Sequence, residues 1–171
     1  MAGVHETAKE LGIFRRQAGG VNRTVKINLA GVTHEESMIQ PGPGGNCINW
    51  VLGHLLSIYN QALPLLGQQP VLDQPTITRY ARGSDAITDP ADARRFEELM
   101  TAWDETVKRI DTGLAGLTPE TLDRPAPAGS GPSEPGDKVR DTLSVLMFHQ
   151  GYHAGQTGVL RRLVGKAGAI K

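Results

Sequence analysis

Apolar residues recur at intervals of three and four along most of this 171-residue chain, and hardly any segment alternates apolar with polar residues. Such spacing is typical of amphipathic α-helices, whereas alternation is typical of strands. Four stretches carry the pattern and predict helices over about residues 4–29, 46–66, 90–114 and 138–164. We therefore predict an all-α fold, a four-helix bundle in which residues 1–171 form one domain.

Local motifs mark the ends of the predicted helices. Asn46 is the expected N-cap of the second long helix. Asp89 followed by Pro90 predicts the start of the third, because proline suits the first helical position. Residues 68–88 show no clean period and predict a long, partly irregular loop, a kind of segment that is often functional. Residues 124–136, rich in Pro, Gly and Ser, predict a second loop.

The charge balance narrows the classes of partner. Lys plus Arg and Asp plus Glu are both 18, so the formal net charge is zero, and no basic field would steer the chain to nucleic acid or to a membrane surface. No apolar run approaches the ~20 residues that cross a bilayer. The start of the sequence has no signal-peptide pattern.

The single cysteine, Cys47, excludes an internal disulfide and is expected to be an inert thiol. We predict a cytoplasmic protein.

Two of the five histidines, His149 and His153, are four residues apart on the apolar stripe of the last predicted helix. Both are expected to face into the bundle. Burying two neutral imidazoles without partners costs several kcal/mol, on the order of a lost hydrogen bond each. A shared metal ion removes that cost, but so do hydrogen bonds to the backbone or between the two rings. The spacing alone leaves these alternatives open.

His54 makes the metal interpretation stronger, because it lies on the inward stripe of the second predicted helix. Three inward histidines on two helices are hard to satisfy without a common partner. We predict that His54, His149 and His153 bind one divalent metal ion. His5 and His34 are expected at the surface.

Competing metal motifs do not fit the sequence. Gln150 stands where a zinc protease needs its glutamate. No glutamate stands three residues before an inward histidine, as a di-iron bundle would require.

Two segments resemble motifs of the DinB-like superfamily of metal-binding helical bundles. Residues 46–55 (NCINWVLGHL) are similar to its Asn-x-x-x-Trp-x-x-x-His-Leu segment, and residues 149–156 (HQGYHAGQ) to its His-x-x-x-His-x-Gly-Gln segment. The resemblance implies an up-down-down-up bundle with a long crossover, often a homodimer. It implies that the three histidines bind nickel, zinc or a similar ion, with iron and manganese as further candidates. Members with known activity include thiol-dependent transferases and isomerases, and many members have no known activity.

Other residues near these motifs have two interpretations each. Gln156, one turn beyond His153, either holds a ligand water or orients a histidine ring from outside the metal shell, or it caps a buried backbone carbonyl. Trp50 is expected to pack in the core or an interface rather than to serve as a substrate platform. The small residues Gly151, Gly155 and Gly158 allow close approach of a helix. An intrachain packing groove is favoured over a dimer seam.

Three neutral ligands leave the ion with an open position and its full charge, the arrangement of a catalytic site. Such an ion lowers the pKa of a bound thiol or water. The first hypothesis is a transferase that activates a low-molecular-weight thiol against a small electrophile, with a metal-dependent hydrolase as its close variant. No carboxylate has a sequence reason to act as base. The second hypothesis is a non-enzymatic, stress-associated protein that binds metal or forms dimers.

Overall fold

Helices make up the regular structure of this chain, whose computed structural model describes residues 2–170 and the side chains of residues 8–170. The seven α-helices are α1 (Ala2–Leu29), α2 (His34–Ser37), α3 (Ile48–Ala62), α4 (Gln74–Arg79), α5 (Phe96–Ala115), α6 (Pro119–Leu122) and α7 (Val139–Leu163). Within the described range there is no strand, only an isolated bridge between Pro125 and Lys138. The all-α prediction is confirmed. No described helix is long and apolar enough to cross a membrane. His5 lies outside the described side chains.

The second long helix begins later and ends earlier than predicted. Asn46 is not its N-cap: Cys47 has the extended backbone of a cap (φ −71, ψ 170), and its carbonyl accepts the first helical bond, from the Val51 amide at 3.0 Å. Pro64 lies in the first turn of a 3-10 segment, Leu63–Leu66, that replaces the last α-helical turn. Gly67 then ends the segment with φ 69, a conformation that favours glycine.

The third long helix begins at Phe96, six residues after the predicted start. Asp89 does cap a helical turn, since its carboxylate accepts from the Ala91 amide at 2.8 Å, but that turn is a 3-10 segment of three residues, Pro90–Asp92. The chain is then extended at Ala93. His34 is half-buried rather than at the surface, and its Nδ1 accepts from the Phe96 amide at the start of α5.

Residues 68–88, predicted as a long, partly irregular loop, contain the short helix α4. The carboxylate of Asp73 accepts from the Thr76 amide at 2.9 Å, and Pro75 lies in the first turn. Both are ordinary helix-start signals, but the helix has only six residues and shows no period of its own. α4 packs against α3.

The four long helices pack in pairs around one buried cluster. α1 contacts α5 and α7, and α3 contacts the same two helices. Of the 15 residues of α3, all but Gln61 are buried, because neighbours cover it on every side. His54, in the middle of α3, is therefore held inside the molecule rather than at its surface.

Candidate metal centre

The structure brings the three histidines predicted as metal ligands to one point between α3 and α7. The Nε2 atoms of His54 and His149 are 3.1 Å apart. One ring nitrogen from each of His54, His149 and His153 lies within 4.8 Å of the others. Two nitrogens bound to one tetrahedral ion at about 2.0–2.1 Å are separated by roughly 3.3 Å. The spacing of the rings therefore fits a shared ion.

The two histidines of α7 do not lie at the centre of its buried face, as the apolar stripe predicted. That centre runs through Leu146, Gln150 and Ala154, and His149 and His153 are half-buried at its margin. The stripe is shifted by one residue because Gln150, a polar residue, occupies the core position. As a result the candidate metal centre has a buried wall formed by α3 and an edge that reaches solvent along α7.

Hydrogen bonds fix which nitrogen of two rings faces the centre. Nδ1 of His54 is 2.8 Å from the Tyr80 carbonyl oxygen, which only accepts, so Nδ1 carries the proton and Nε2 keeps its lone pair. Nδ1 of His153 is 2.9 Å from Oε1 of Gln156, which has the same effect. The contact of Gln156 is thus with a histidine ring and not with a backbone carbonyl.

The third ring supplies a test of whether a metal ion fits. Nδ1 of His149 and Oε1 of the adjacent Gln150 are both buried, and neither has a hydrogen-bond partner among the residues that the structure describes. If His149 only donated an Nε2 proton to His54, its Nδ1 would be a bare acceptor beside another acceptor. If its Nε2 instead faces an ion, Nδ1 carries a proton and is a hydrogen-bond donor, and a donor is what the Gln150 oxygen lacks. The two orphaned atoms therefore fit a metal-binding tautomer.

Gln150 is also tied to the opposite helix. Its Nε2 donates to the Leu55 carbonyl at 3.0 Å, one residue from His54. Its side chain thus links the α3 wall of the centre to the α7 edge, and it is completely buried.

All three histidines are held in the neutral form that metal binding needs. Burial is the largest cause lowering the pKa of each ring. The pKa of His149 falls to about 4, with the neighbouring His153 and His54 as further causes. At neutral pH the ring lone pairs are free, because no proton has to be displaced before an ion binds.

Aromatic rings line the centre on two sides. Trp50 is buried and stacks on His54 with ring centroids 4.7 Å apart, and its Nε1 donates to the Ser84 hydroxyl at 3.1 Å. Tyr152 meets His153 edge-on at 5.0 Å. Cys47 is buried, and burial raises the pKa of its thiol, which agrees with an inert cysteine.

Sequence reasoning missed two residues that hold the ligands, Tyr80 and Gln150. Asn49 is buried and accepts from the Tyr80 hydroxyl at 2.8 Å, which helps to hold that residue. Gln150 had a signal, since it lies four residues from both Leu146 and Ala154 on one helix face. Tyr80 had none, because it acts through its backbone carbonyl.

Comparisons with known proteins agree with the motifs. The sequence profile described as the DinB superfamily matches residues 22–157, a span that includes all three histidines. The chain belongs to the DinB superfamily. The crystal structure of a conserved protein from Enterococcus faecalis is similar in fold, with a TM-score of 0.68 and 19% sequence identity over 91% of this chain and 97% of that one. No curated protein matches the chain.

Proposed function

We propose that this DinB-superfamily protein binds one divalent metal ion, nickel or zinc, through Nε2 of His54, His149 and His153, and activates a low-molecular-weight thiol for transfer to a small electrophile. The observation that carries the proposal is the convergence of three neutral imidazoles, two of which have their outward Nδ1 on a protein acceptor. Imidazole ligands suit several first-row ions, so iron and manganese are the alternatives to test.

When bound, a divalent ion at this centre lowers the pKa of a thiol and holds the thiolate for nucleophilic attack. The chain's own residues bind the ion and orient the histidine rings that hold it. The Tyr80 carbonyl and Gln156 fix two of the rings, Trp50 closes the α3 wall against water, and the α7 edge gives a small molecule access. A thiol suits the centre better than water, because none of the groups that shift the pKa values of the histidines is a carboxylate base. A hydrolase at this centre would have to rely on the metal-bound water alone, without a carboxylate base for proton transfer.

The activity test uses protein reconstituted separately with nickel, zinc, iron and manganese, assayed with several small thiols and an electrophilic acceptor. We expect turnover that requires both metal and thiol and that falls at least about 100-fold in His54→Ala and His149→Ala, since each loses a ligand. The control is His34→Asn, which changes a histidine outside the centre and keeps a side chain that can accept from Phe96. Rates unaffected by the two ligand substitutions would overturn the proposal.

The second candidate is a metal-binding protein without enzymatic activity, and the missing carboxylate base is the observation that favours it. In that case the ion joins α3 to α7 and serves stability or sensing. Chelation would then lower the melting temperature sharply, while no combination of metal, thiol and acceptor would give turnover.

We also propose that the chain forms a single-domain, up-down-down-up bundle with a long crossover. The pairing of α1 and α3 with both α5 and α7 supports this topology. Location in the cytoplasm stays a prediction of the sequence.

We also propose a homodimer whose seam is the outer face of α7. Large apolar side chains are exposed along this face, up to 76% for Phe148 and 66% for Tyr152, and they are Val145, Phe148, Tyr152, Val159 and Leu163. An intrachain groove at the glycines of α7 is the wrong interpretation for two of them: a Cβ on Gly151 or Gly155 would meet nothing within 4 Å, whereas Gly158 does approach Asn28.

Four of these residues, all but Val145, are spaced symmetrically about position 155–156. Antiparallel pairing with a second copy therefore sets Phe148 opposite Leu163 and Tyr152 opposite Val159, with glycines at the crossing. Light scattering is expected to give a dimer for the natural chain and a monomer for Phe148→Glu, while Ile39→Glu, an exposed apolar residue elsewhere, leaves the dimer intact. A monomeric natural chain would overturn this seam.

A further inference from the structure

The loop that follows α4 is fixed to the metal centre at two points. The Tyr80 carbonyl meets Nδ1 of His54 at 2.8 Å, and the Ser84 hydroxyl accepts from Nε1 of Trp50, which stacks on the same histidine. Arg82 lies midway between these two anchors. The loop therefore holds this residue at the rim of the centre, on the side of His54.

The side chain of Arg82 is exposed and, among the described residues, makes no hydrogen bond or ion pair. Its charge reaches two of the three rings. After burial, the main cause, Arg82 is among the charges that lower the pKa values of His54 and His149, and it is not among the causes for His153. The two anchors on His54 and Trp50, which flank Arg82, place this residue on the His54 side of the centre.

The charges around the centre are unbalanced. Three neutral ligands leave a divalent ion with both of its charges, and Arg82 adds a third. No carboxylate is among the groups that act on the histidines. Such a site attracts anions, and a guanidinium binds a carboxylate through two parallel hydrogen bonds.

We propose that Arg82 binds the carboxylate of the small molecule whose thiol occupies the metal centre, so that the substrate class is a thiol that carries a carboxylate. This inference rests on the proposed function, since that function supplies the thiol. Arg82 acts as a specificity-determining residue: it selects among thiols that the three histidines and their ion would otherwise accept alike.

The test is ligand binding to cobalt-substituted protein, followed through the sulfur-to-cobalt absorption band. The probes are 3-mercaptopropionate and 2-mercaptoethanol, which differ in the carboxylate. We expect the natural chain to bind 3-mercaptopropionate about fivefold more tightly, as befits an exposed ion pair. High salt should reduce the preference, because it screens exposed charges.

Arg82→Gln should abolish this preference and leave the affinity for 2-mercaptoethanol unchanged, and Arg82→Lys should keep part of it. The control, Arg23→Gln, removes the same charge from an exposed position on α1 and should keep the full preference for 3-mercaptopropionate. An Arg82→Gln variant that retains the full preference would overturn the proposal.

A further arm separates this inference from the proposed function. If neither thiol produces the absorption band, the thiol function fails. Malonate, a dianion without a thiol, is then titrated by calorimetry. Weaker binding to Arg82→Gln than to the natural chain supports an anion site at Arg82, and equal binding, or no binding to either, rejects it.

Discussion

At the residue scale, the centre depends on atoms that never touch the ion. An imidazole offers a lone pair at Nε2 only when its proton is on Nδ1, and the acceptor beside Nδ1 decides that. For His54 this acceptor is the Tyr80 carbonyl, and for His153 it is Gln156. Since Gln156 is on the same helix as the ring that it holds, its effect can be changed without disturbing the packing between helices.

Gln156→Leu is predicted to weaken metal binding by about 10- to 100-fold, because Nδ1 of His153 loses its acceptor. Competition with a chelator of known affinity measures the change. Gln156→Glu is the matched control, since it keeps an oxygen at the same place and should bind metal at least as tightly as the natural chain. Equal affinities for the leucine variant and the natural chain would mean that Gln156 does not orient the ring.

At the element scale, tertiary contacts decide where several helices begin. The cap at Asp89 was predicted correctly, yet its helical turn stops after three residues because the backbone of Arg94 is held elsewhere. Its amide donates to the Tyr80 hydroxyl at 2.9 Å, and its carbonyl accepts from Asn49 at 2.8 Å. The long helices were predictable because their stripes repeat over several turns. The starts of these helices were not predictable, because the hydrogen-bond partners that fix them are distant in sequence.

The same distinction applies to the candidate site. His54, His149 and His153 were predictable since side-chain spacing places them on two inward faces. Tyr80 was not, because only the fold brings its carbonyl to a ring 26 positions away in the chain. The exact burial of α7 was also missed, because the core position between Leu146 and Ala154 is occupied by a polar residue, Gln150, whose spacing was the one signal of its burial.

Asn60 of α3 is predicted to hold the segment that leads to α4. It is completely buried, and its Oδ1 accepts from the amides of Val71 and Leu72 at 2.6 and 2.9 Å. Asn60→Ala should lower the free energy of unfolding by about 2–3 kcal/mol, because two backbone donors lose their acceptor. Urea denaturation measures this. The side chain of Gln61 donates, within the described part of the chain, only to the Ser57 hydroxyl, so Gln61→Ala should cost less than about 1 kcal/mol. Similar losses in both variants would contradict the assignment.

At the scale of the whole molecule, the centre joins α3, which is buried on every side, to α7, which has one apolar face exposed. An ion held by ligands from both helices stabilises the folded chain over the unfolded one. Without the ion, three neutral histidines are left close together, and the fold must keep them unprotonated.

Stability of the metal-free protein is predicted to fall as the pH is lowered from about 6.5 toward 4. The folded pKa values of the three histidines are below the ordinary 6.5, and that of His149 is about 4, so the unfolded chain takes up protons first. Carboxylates such as Glu36, with an ordinary pKa of 4.5, contribute only at lower pH. Melting temperatures of chelated protein measure the trend, and His149→Gln should flatten it. A constant melting temperature between pH 7.5 and 5 would contradict the prediction.

Metal content per chain tests the central claim most directly. Protein purified without chelators, saturated with nickel or zinc and freed of excess ion, is measured by inductively coupled plasma mass spectrometry. We predict one ion per chain for the natural protein and for His34→Asn, and less than about a tenth of an ion for His54→Ala, His149→Ala and His153→Ala, because two histidines hold a divalent ion too weakly to survive desalting. A natural chain without bound metal, or single-histidine variants that keep a full ion, would contradict the three-histidine centre.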